Sequence, residues 1–158
     1  MLRPTKDEWY FIALAIPIWV AAVSVTAWDF AVLQHWVLRP VAVAAGLAVT
    51  AAGFYLRKRS QRDLGEYSWC GLRILDGHDI VMRGVYSRVR NPMYIGNFLA
   101  WIGVAVALSS AYGVLASLLA IPCFLHRIAL EERQLAENFG DAYREYVGRT
   151  HRFIPFLY

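Results

Sequence analysis

The stretch NPMYIGNFLAWIGVAVALSSAYGVLASLLAIPCFL, Asn91 to Leu125, decides the fold: it runs for 35 residues without an Asp, Glu, Lys or Arg. As one helix it would be roughly 50 Å long at about 1.5 Å per residue, against a hydrocarbon core about 30 Å thick. That is too long for one crossing, and the residues Ser109-Ser110-Ala111-Tyr112-Gly113 offer a place to fold back. The run therefore divides into two short helices joined by a tight turn, over 92–108 and 112–127. Pro92 suits the first position of the earlier helix, where its missing N–H has no intrahelical partner to lose.

Two further apolar runs lie upstream. Trp9–Trp28 carries no charge over 20 residues, and Pro40–Leu56 none over 17. The first is a full span, with a tryptophan at each end as an interfacial anchor and Pro17 inside it implying a kink. A basic start before an apolar run mimics a signal peptide, but this length and these flanks favour a retained span. The second is slightly short and can begin near Trp36, giving spans over 9–28 and 37–56. Its small residues Ala42, Ala45, Gly46 and Gly53 let helix backbones approach closely, and helix packing is the reading they support.

The expectation is an all-α integral membrane protein: one membrane domain over 1–158 with about four transmembrane helices, the last two a hairpin. A loop over 57–91 and C-terminal helices over 128–149 complete it. The composition agrees, at 58 % hydrophobic and 15 % aromatic residues. Fifteen of the sixteen Lys and Arg fall before the first span, between the second and third, or after the fourth, with only Arg39 near the other face. Both termini, the long loop and the C-terminal helices are thus expected to be cytoplasmic. The net charge of +4 reads as topology and contact with anionic lipid, not nucleic-acid binding. Cys70 and Cys123 have no metal-ligand or disulfide spacing, and His35, His78, His126 and His151 form no metal motif, so no metal is expected. Within the loop, the stretch from Arg73 to Gly84 has the Asp-Gly turn and alternating apolar residues of a small hairpin.

Polar clusters flank the long run on both sides. Gly84-Val-Tyr-Ser-Arg-Val-Arg-Asn-Pro-Met-Tyr-Ile-Gly96 places Arg88 and Arg90 before Pro92, and Arg127 to Glu132 follows the run. If the run doubles back the clusters meet, and that meeting place is the candidate active site. Helical spacing sets Tyr94, Asn97 and Trp101 on one face, with Asn91 one turn earlier. Asparagine in a membrane span is costly unless paired or facing a polar cavity, and both an interhelical bond and a cavity wall fit it. Beyond Leu125 the helix continues amphipathically, with Ile128, Leu135 and Phe139 as its apolar stripe. Glu131 lies one turn beyond Arg127, a spacing that by itself makes a weak surface pair. Glu132 lies on the stripe, where a buried carboxylate needs a cationic partner. Gly140 can end this helix and Asp141 can cap the next. There is no Ser–His–Asp arrangement and no G-x-G-x-x-G after a strand. Such a site suits one soluble, charged reactant and one lipid-borne reactant.

The stretch Gly84–Gly96, followed by Asn97 and Trp101, resembles the Arg-His-Pro-x-Tyr signature of the isoprenylcysteine carboxyl methyltransferase and phospholipid methyltransferase superfamily. Arg127-x-x-x-Glu-Glu-x-x-Leu135, Phe139-Gly-x-x-Tyr-x-x-Tyr146 and Arg152-Phe-Ile-Pro155 resemble that family's C-terminal motif. The resemblance covers the second half of the chain. It implies a membrane methyltransferase using S-adenosylmethionine, enclosed between the hairpin and the C-terminal helices. By that resemblance Tyr86, Arg90, Asn91, Pro92, Tyr94, Glu131 and Glu132 would line the cofactor site. Arg90, Arg127 and Glu132 would serve catalysis, the arginines holding a carboxylate acceptor or Glu132 deprotonating an amine or thiol. Asn97 and Trp101 would meet a lipid or lipophilic acceptor entering sideways. Small size resembles the prokaryotic-type members, which would place the chain in an inner membrane. The family's histidine is Asn91 here: asparagine can donate and accept hydrogen bonds but does not titrate near neutral pH. Two other readings stand beside this one: an NADPH-dependent membrane reductase of the sterol-reductase type, and a non-catalytic membrane protein that binds lipid or a partner.

Overall fold

The computed structural model describes residues 6–33, 38–65, 67 and 80–153, and the described residues are helical with no strand. In chain order they form α1 (Lys6–Trp28), a π-helical extension (Asp29–Leu33), α2 (Pro40–Leu64) and a 3-10 turn (Gly84–Ser87). Then come α3 (Pro92–Ala107), α4 (Ala111–Leu119), α5 (Ile121–Phe139) and α6 (Asp141–Arg149). Among the described residues, three segments are long and apolar enough to cross a membrane: Ile16–Leu33, Pro40–Leu64 and Ala111–Phe139. Pro92–Ala107 is apolar but shorter. Trp36, Cys70, His35, His78 and most of the expected hairpin over 73–84 lie outside the described residues.

α2 and α3 pack on each other more closely than any other pair. The cause is glycine on both sides. A Cβ added at Gly46 would sit 2.2 Å from the Ala107 nitrogen, and one at Gly53 would sit 2.4 Å from the Ala100 nitrogen. From α3, a Cβ at Gly96 would come within 2.7 Å of the Arg57 nitrogen. Gly46 meets the far end of α3 and Gly53 its near end, so the two helices run antiparallel with their backbones in contact. α1 packs against α4.

The long uncharged run does turn where the sequence predicts. α3 ends at Ala107, Ser109 takes φ +53°, and Ser110 caps α4 by accepting a hydrogen bond from the Gly113 nitrogen at 2.9 Å. The Ser110 hydroxyl also donates to Asp29 at 2.6 Å, and both residues are buried. Asp29 therefore ties the turn to the end of α1.

Three boundaries differ from expectation. The expected span over 112–127 is two helices, because α4 stops at Leu119 and α5 starts at Ile121 with Pro122 in its first turn. Proline lacks the N–H for the preceding turn and clashes with its carbonyl, which breaks the ladder at Ala120. α5 then continues unbroken to Phe139, so no boundary falls between 127 and 128. α2 likewise runs past Leu56 to Leu64, well into the expected loop over 57–91. Its last turn is held to the returning chain by Asp63, whose carboxylate accepts from the Val85 nitrogen at 2.9 Å. Gly84 has φ +59°, and a Cβ there would fall 2.0 Å from that same carboxylate.

Candidate active site

The loop before α3, the middle of α5 and the segment after α6 converge at the end of the bundle that carries Arg57. Val89 and His151 form a short parallel bridge: the Arg90 nitrogen donates to the His151 carbonyl and the His151 nitrogen to the Arg88 carbonyl, each at 2.9 Å. This bridge brings Arg152 beside Arg90 and Asn91. The Tyr146 hydroxyl strengthens it by donating to the Tyr86 carbonyl at 2.8 Å.

Glu132 is the hub. Its Oε1 accepts from the Asn91 amide at 2.9 Å and from Arg90 Nε at 3.5 Å, and its Oε2 accepts from Arg152 Nη2 at 2.9 Å. Two guanidinium groups and an amide thus face one carboxylate, which supplies the cationic partner that its place on the buried stripe demands. Arg90 does more than pair. Its Nη1 donates to the Val147 carbonyl at 3.1 Å and also to the Thr150 carbonyl. A cation on the last carbonyls of α6 satisfies acceptors the helix cannot, so Arg90 caps α6 from across the fold.

A second cluster lies one turn away along α5. Arg127 Nε donates to Glu131 Oε1 at 3.0 Å, and the Tyr94 hydroxyl donates to the same oxygen at 2.7 Å. Arg127 is buried, so this four-residue pair is not the solvated surface contact that its spacing suggests. Tyr94 packs edge-on against Phe124, and Trp101 packs on the other side of Phe124. Burial pushes the Tyr146 phenol up to about 12 and raises those of Tyr86 and Tyr143 well above the ordinary range, so all three are neutral donors near neutral pH.

Asn91 repays a closer look. It occupies the N-cap position of α3, where an asparagine oxygen ordinarily accepts from the first turn. Here its side chain makes no cap bond and donates instead to Glu132 and, at 3.3 Å, to the Arg152 carbonyl. Both partners are acceptors, which fixes the NH2 group toward them.

Comparison with known proteins follows this geometry. Residues 41–142 match the family model described as phospholipid methyltransferase. A probable protein-S-isoprenylcysteine O-methyltransferase of Oryza sativa subsp. japonica is 31 % identical over 150 residues, covering 84 % of this chain and 76 % of that one. The Homo sapiens protein-S-isoprenylcysteine O-methyltransferase is 37 % identical over 83 residues, covering 52 % of this chain and 29 % of that one. The chain belongs to the phospholipid methyltransferase family. Its fold agrees with a solved structure of the eukaryotic intramembrane Ras methyltransferase ICMT, with a TM-score of 0.73 and 26 % identity. That match covers 89 % of this chain, which spans about half (53 %) of the solved one.

In this membrane methyltransferase the residues singled out by sequence fall into three groups. Arg90, Asn91 and Glu132 form one bonded cluster, and Tyr94, Arg127 and Glu131 form the second. Asn97 and Trp101 line a cavity between α1, α2, α3 and α4. Tyr86 and Pro92 are buried, Tyr86 offering its carbonyl to Tyr146 and Pro92 starting α3. Sequence reasoning gave no role to Arg152 or Thr150. Arg152 stands inside a quoted motif, but its carbonyl and the two α6 carbonyls act through the backbone, which residue identity does not reveal.

The asparagine that replaces the family's histidine acts here as a donor. Asn91→Leu is expected to destabilise the protein by about 1–3 kcal/mol, because it leaves part of a half-buried carboxylate without its donor. Asn91→His, which also presents a ring N–H, should recover most of that loss. Thermal unfolding in detergent distinguishes the two.

Proposed function

We propose that this methyltransferase moves a methyl group from S-adenosylmethionine to a lipophilic acceptor, a carboxylate, amine or thiol, at the cytoplasmic face. The observation that carries this reading is the convergence of Glu131 and Glu132 with Arg90, Arg127 and Arg152 beside an apolar cavity. With α3 counted as a fourth crossing, the excess of basic residues favours a cytoplasmic face for all three arginines and the basic end of α2.

The donor set fits the cofactor. Its amino-acid end carries a carboxylate and an ammonium, and its centre a sulfonium. Arg152 Nε is buried with no hydrogen-bond partner among the described residues, a guanidinium edge suited to the carboxylate. Glu131 and Glu132 would hold the positive groups, with Asn91 and Tyr94 fixing the two side chains. When bound, the cofactor supplies a methyl group already activated on sulfur, so the protein's task is alignment.

Glu132, with three donors on its two oxygens, acts as a positioning residue that holds Arg90, Asn91 and Arg152 in register. An amine or thiol acceptor must lose a proton, and Glu131, whose described bonds all fall on Oε1, is the acceptor for it. A carboxylate acceptor needs no such step. Its charge would instead be met by the arginines.

The relatives act, by their names, on protein-bound isoprenylcysteine, and a carboxylate at the end of a lipid-modified chain is the acceptor that this likeness favours. The test is calorimetric titration of purified protein with S-adenosylmethionine and its demethylated product, followed by labelled-methyl transfer into a total lipid extract. Binding at or below about 1 mM is expected, in the range usual for enzyme substrates. No heat from either ligand would overturn the reading.

A further inference from the structure

A cavity of about 470 Å³ opens between α1, α2, α3 and α4. That is within the range of sites that enclose a drug-sized molecule, about 300–1,000 Å³. That is room for at least one alkyl chain. Trp19, Phe54 and Trp101 form much of its wall, and Val104, Leu108 and Ser117 lie toward the far end of α3. Its near end holds Asn97 and Arg57, next to Gly96, whose Cα packs against the Arg57 backbone.

Arg57 is the only charged side chain among the described residues that line this space, and no described residue pairs with it. Several other arginines are already engaged. Arg59 pairs with Asp63 at 3.4 Å, Arg83 donates to the Asp63 carbonyl, and Arg90, Arg127 and Arg152 are engaged by Glu131 and Glu132. A row of packed aromatic rings runs from the cavity wall to the ionic site. Trp19 packs on Trp101 with ring centroids 6.4 Å apart, Trp101 on Phe124 at 5.3 Å, and Phe124 on Tyr94 at 5.9 Å. Tyr94 is bonded to Glu131.

We infer that Arg57 recognises the anionic group, carboxylate or phosphate, of a single-chain amphiphile whose tail fills this cavity. The inference does not depend on the methyl-transfer reading. A guanidinium at an apolar mouth gains a charge-assisted hydrogen bond from an anion and repels an ammonium headgroup, which makes Arg57 a specificity-determining residue.

The probes are dodecanoate, dodecyl phosphate, dodecanol and dodecyltrimethylammonium, each brominated near the chain end. Binding to the full chain in nonionic detergent is read as quenching of tryptophan fluorescence, since Trp19 and Trp101 line the cavity. Dodecanoate or the phosphate should bind about tenfold or more tighter than the alcohol. Whichever of the two is tighter identifies the anion. Arg57→Gln should fall to the alcohol's affinity, while Arg57→Lys should keep a preference for anions. Val104→Trp, which narrows the cavity, should weaken binding of all four.

Equal binding of all probes by the wild type, an unchanged preference in Arg57→Gln, or unchanged binding in Val104→Trp would each overturn the inference. The demethylated cofactor, titrated into the same proteins, separates it from the methyl-transfer reading. Arg57→Gln should bind that ligand as the wild type does. A wild type that binds the anionic probes but not this ligand would sink methyl transfer and leave the amphiphile site standing.

Discussion

Methyl transfer by Glu132→Ala is expected to fall about 100-fold, the scale of loss when reacting groups are misplaced by about 1 Å. The alanine leaves Arg90 and Arg152 facing each other with no carboxylate between them and removes the acceptor for the Asn91 amide. Breaking a buried pair from one side leaves uncompensated charge, which costs about 3 kcal/mol where, as here, the groups keep a small exposure. Loss of activity and loss of thermal stability should therefore appear together. Glu132→Gln, which retains one acceptor, should fall between. The contrast is Arg133→Ala on the same helix. Arg133 pairs with Glu137 at 2.8 Å, closer than Arg90 lies to Glu132, yet both side chains are mostly exposed. That substitution should change neither activity nor stability measurably. Wild-type turnover in Glu132→Ala would refute the assignment of Glu132 as the hub.

Gly53→Leu should leave almost no folded protein. A Cβ at this position is blocked by the Ala100 nitrogen at 2.4 Å and the Gly96 carbonyl oxygen at 2.7 Å, both main-chain atoms of α3. Backbone cannot rotate aside as a side chain can, so α2 and α3 must separate along their whole contact. Overpacking of this kind costs at least ~3 kcal/mol, and there is no water-driven collapse between membrane helices to offset it. Even Gly53→Ala should be visibly impaired. Gly148→Ala is the control: no atom lies within 4 Å of the added methyl, and its backbone suits any residue. Size-exclusion profiles in detergent read all three, and a monodisperse, wild-type-like Gly53→Leu would show that the helices are not held as described.

Much of this architecture was legible before any coordinates. An uncharged run too long for one crossing, with serines and a glycine near its middle, marks the turn between α3 and α4. The turn in turn brings the acidic pair of α5 to the arginines before α3. Gly46 and Gly53 announced close packing by their size alone. What the sequence hid has specific causes. Pro122 lies near the end of an apolar run, where it could equally end one helix or begin another, and it does the second. The Asp29–Ser110 bond joins residues 81 positions apart, which no local pattern reveals. Arg57 was one of several basic residues whose clustering already had an explanation in topology. The capping of α6 by Arg90 uses carbonyls, and every residue has one.

That same capping has a bearing on biosynthesis. The ribosome delivers α1 to α5 before residues 147–152, so these helices can be threaded into the bilayer while the Glu132 side chain still lacks one of its two guanidinium partners and Arg90 has no helix end to hold. The Glu132 cluster is completed only when residues 147–152 dock beneath the arginine loop.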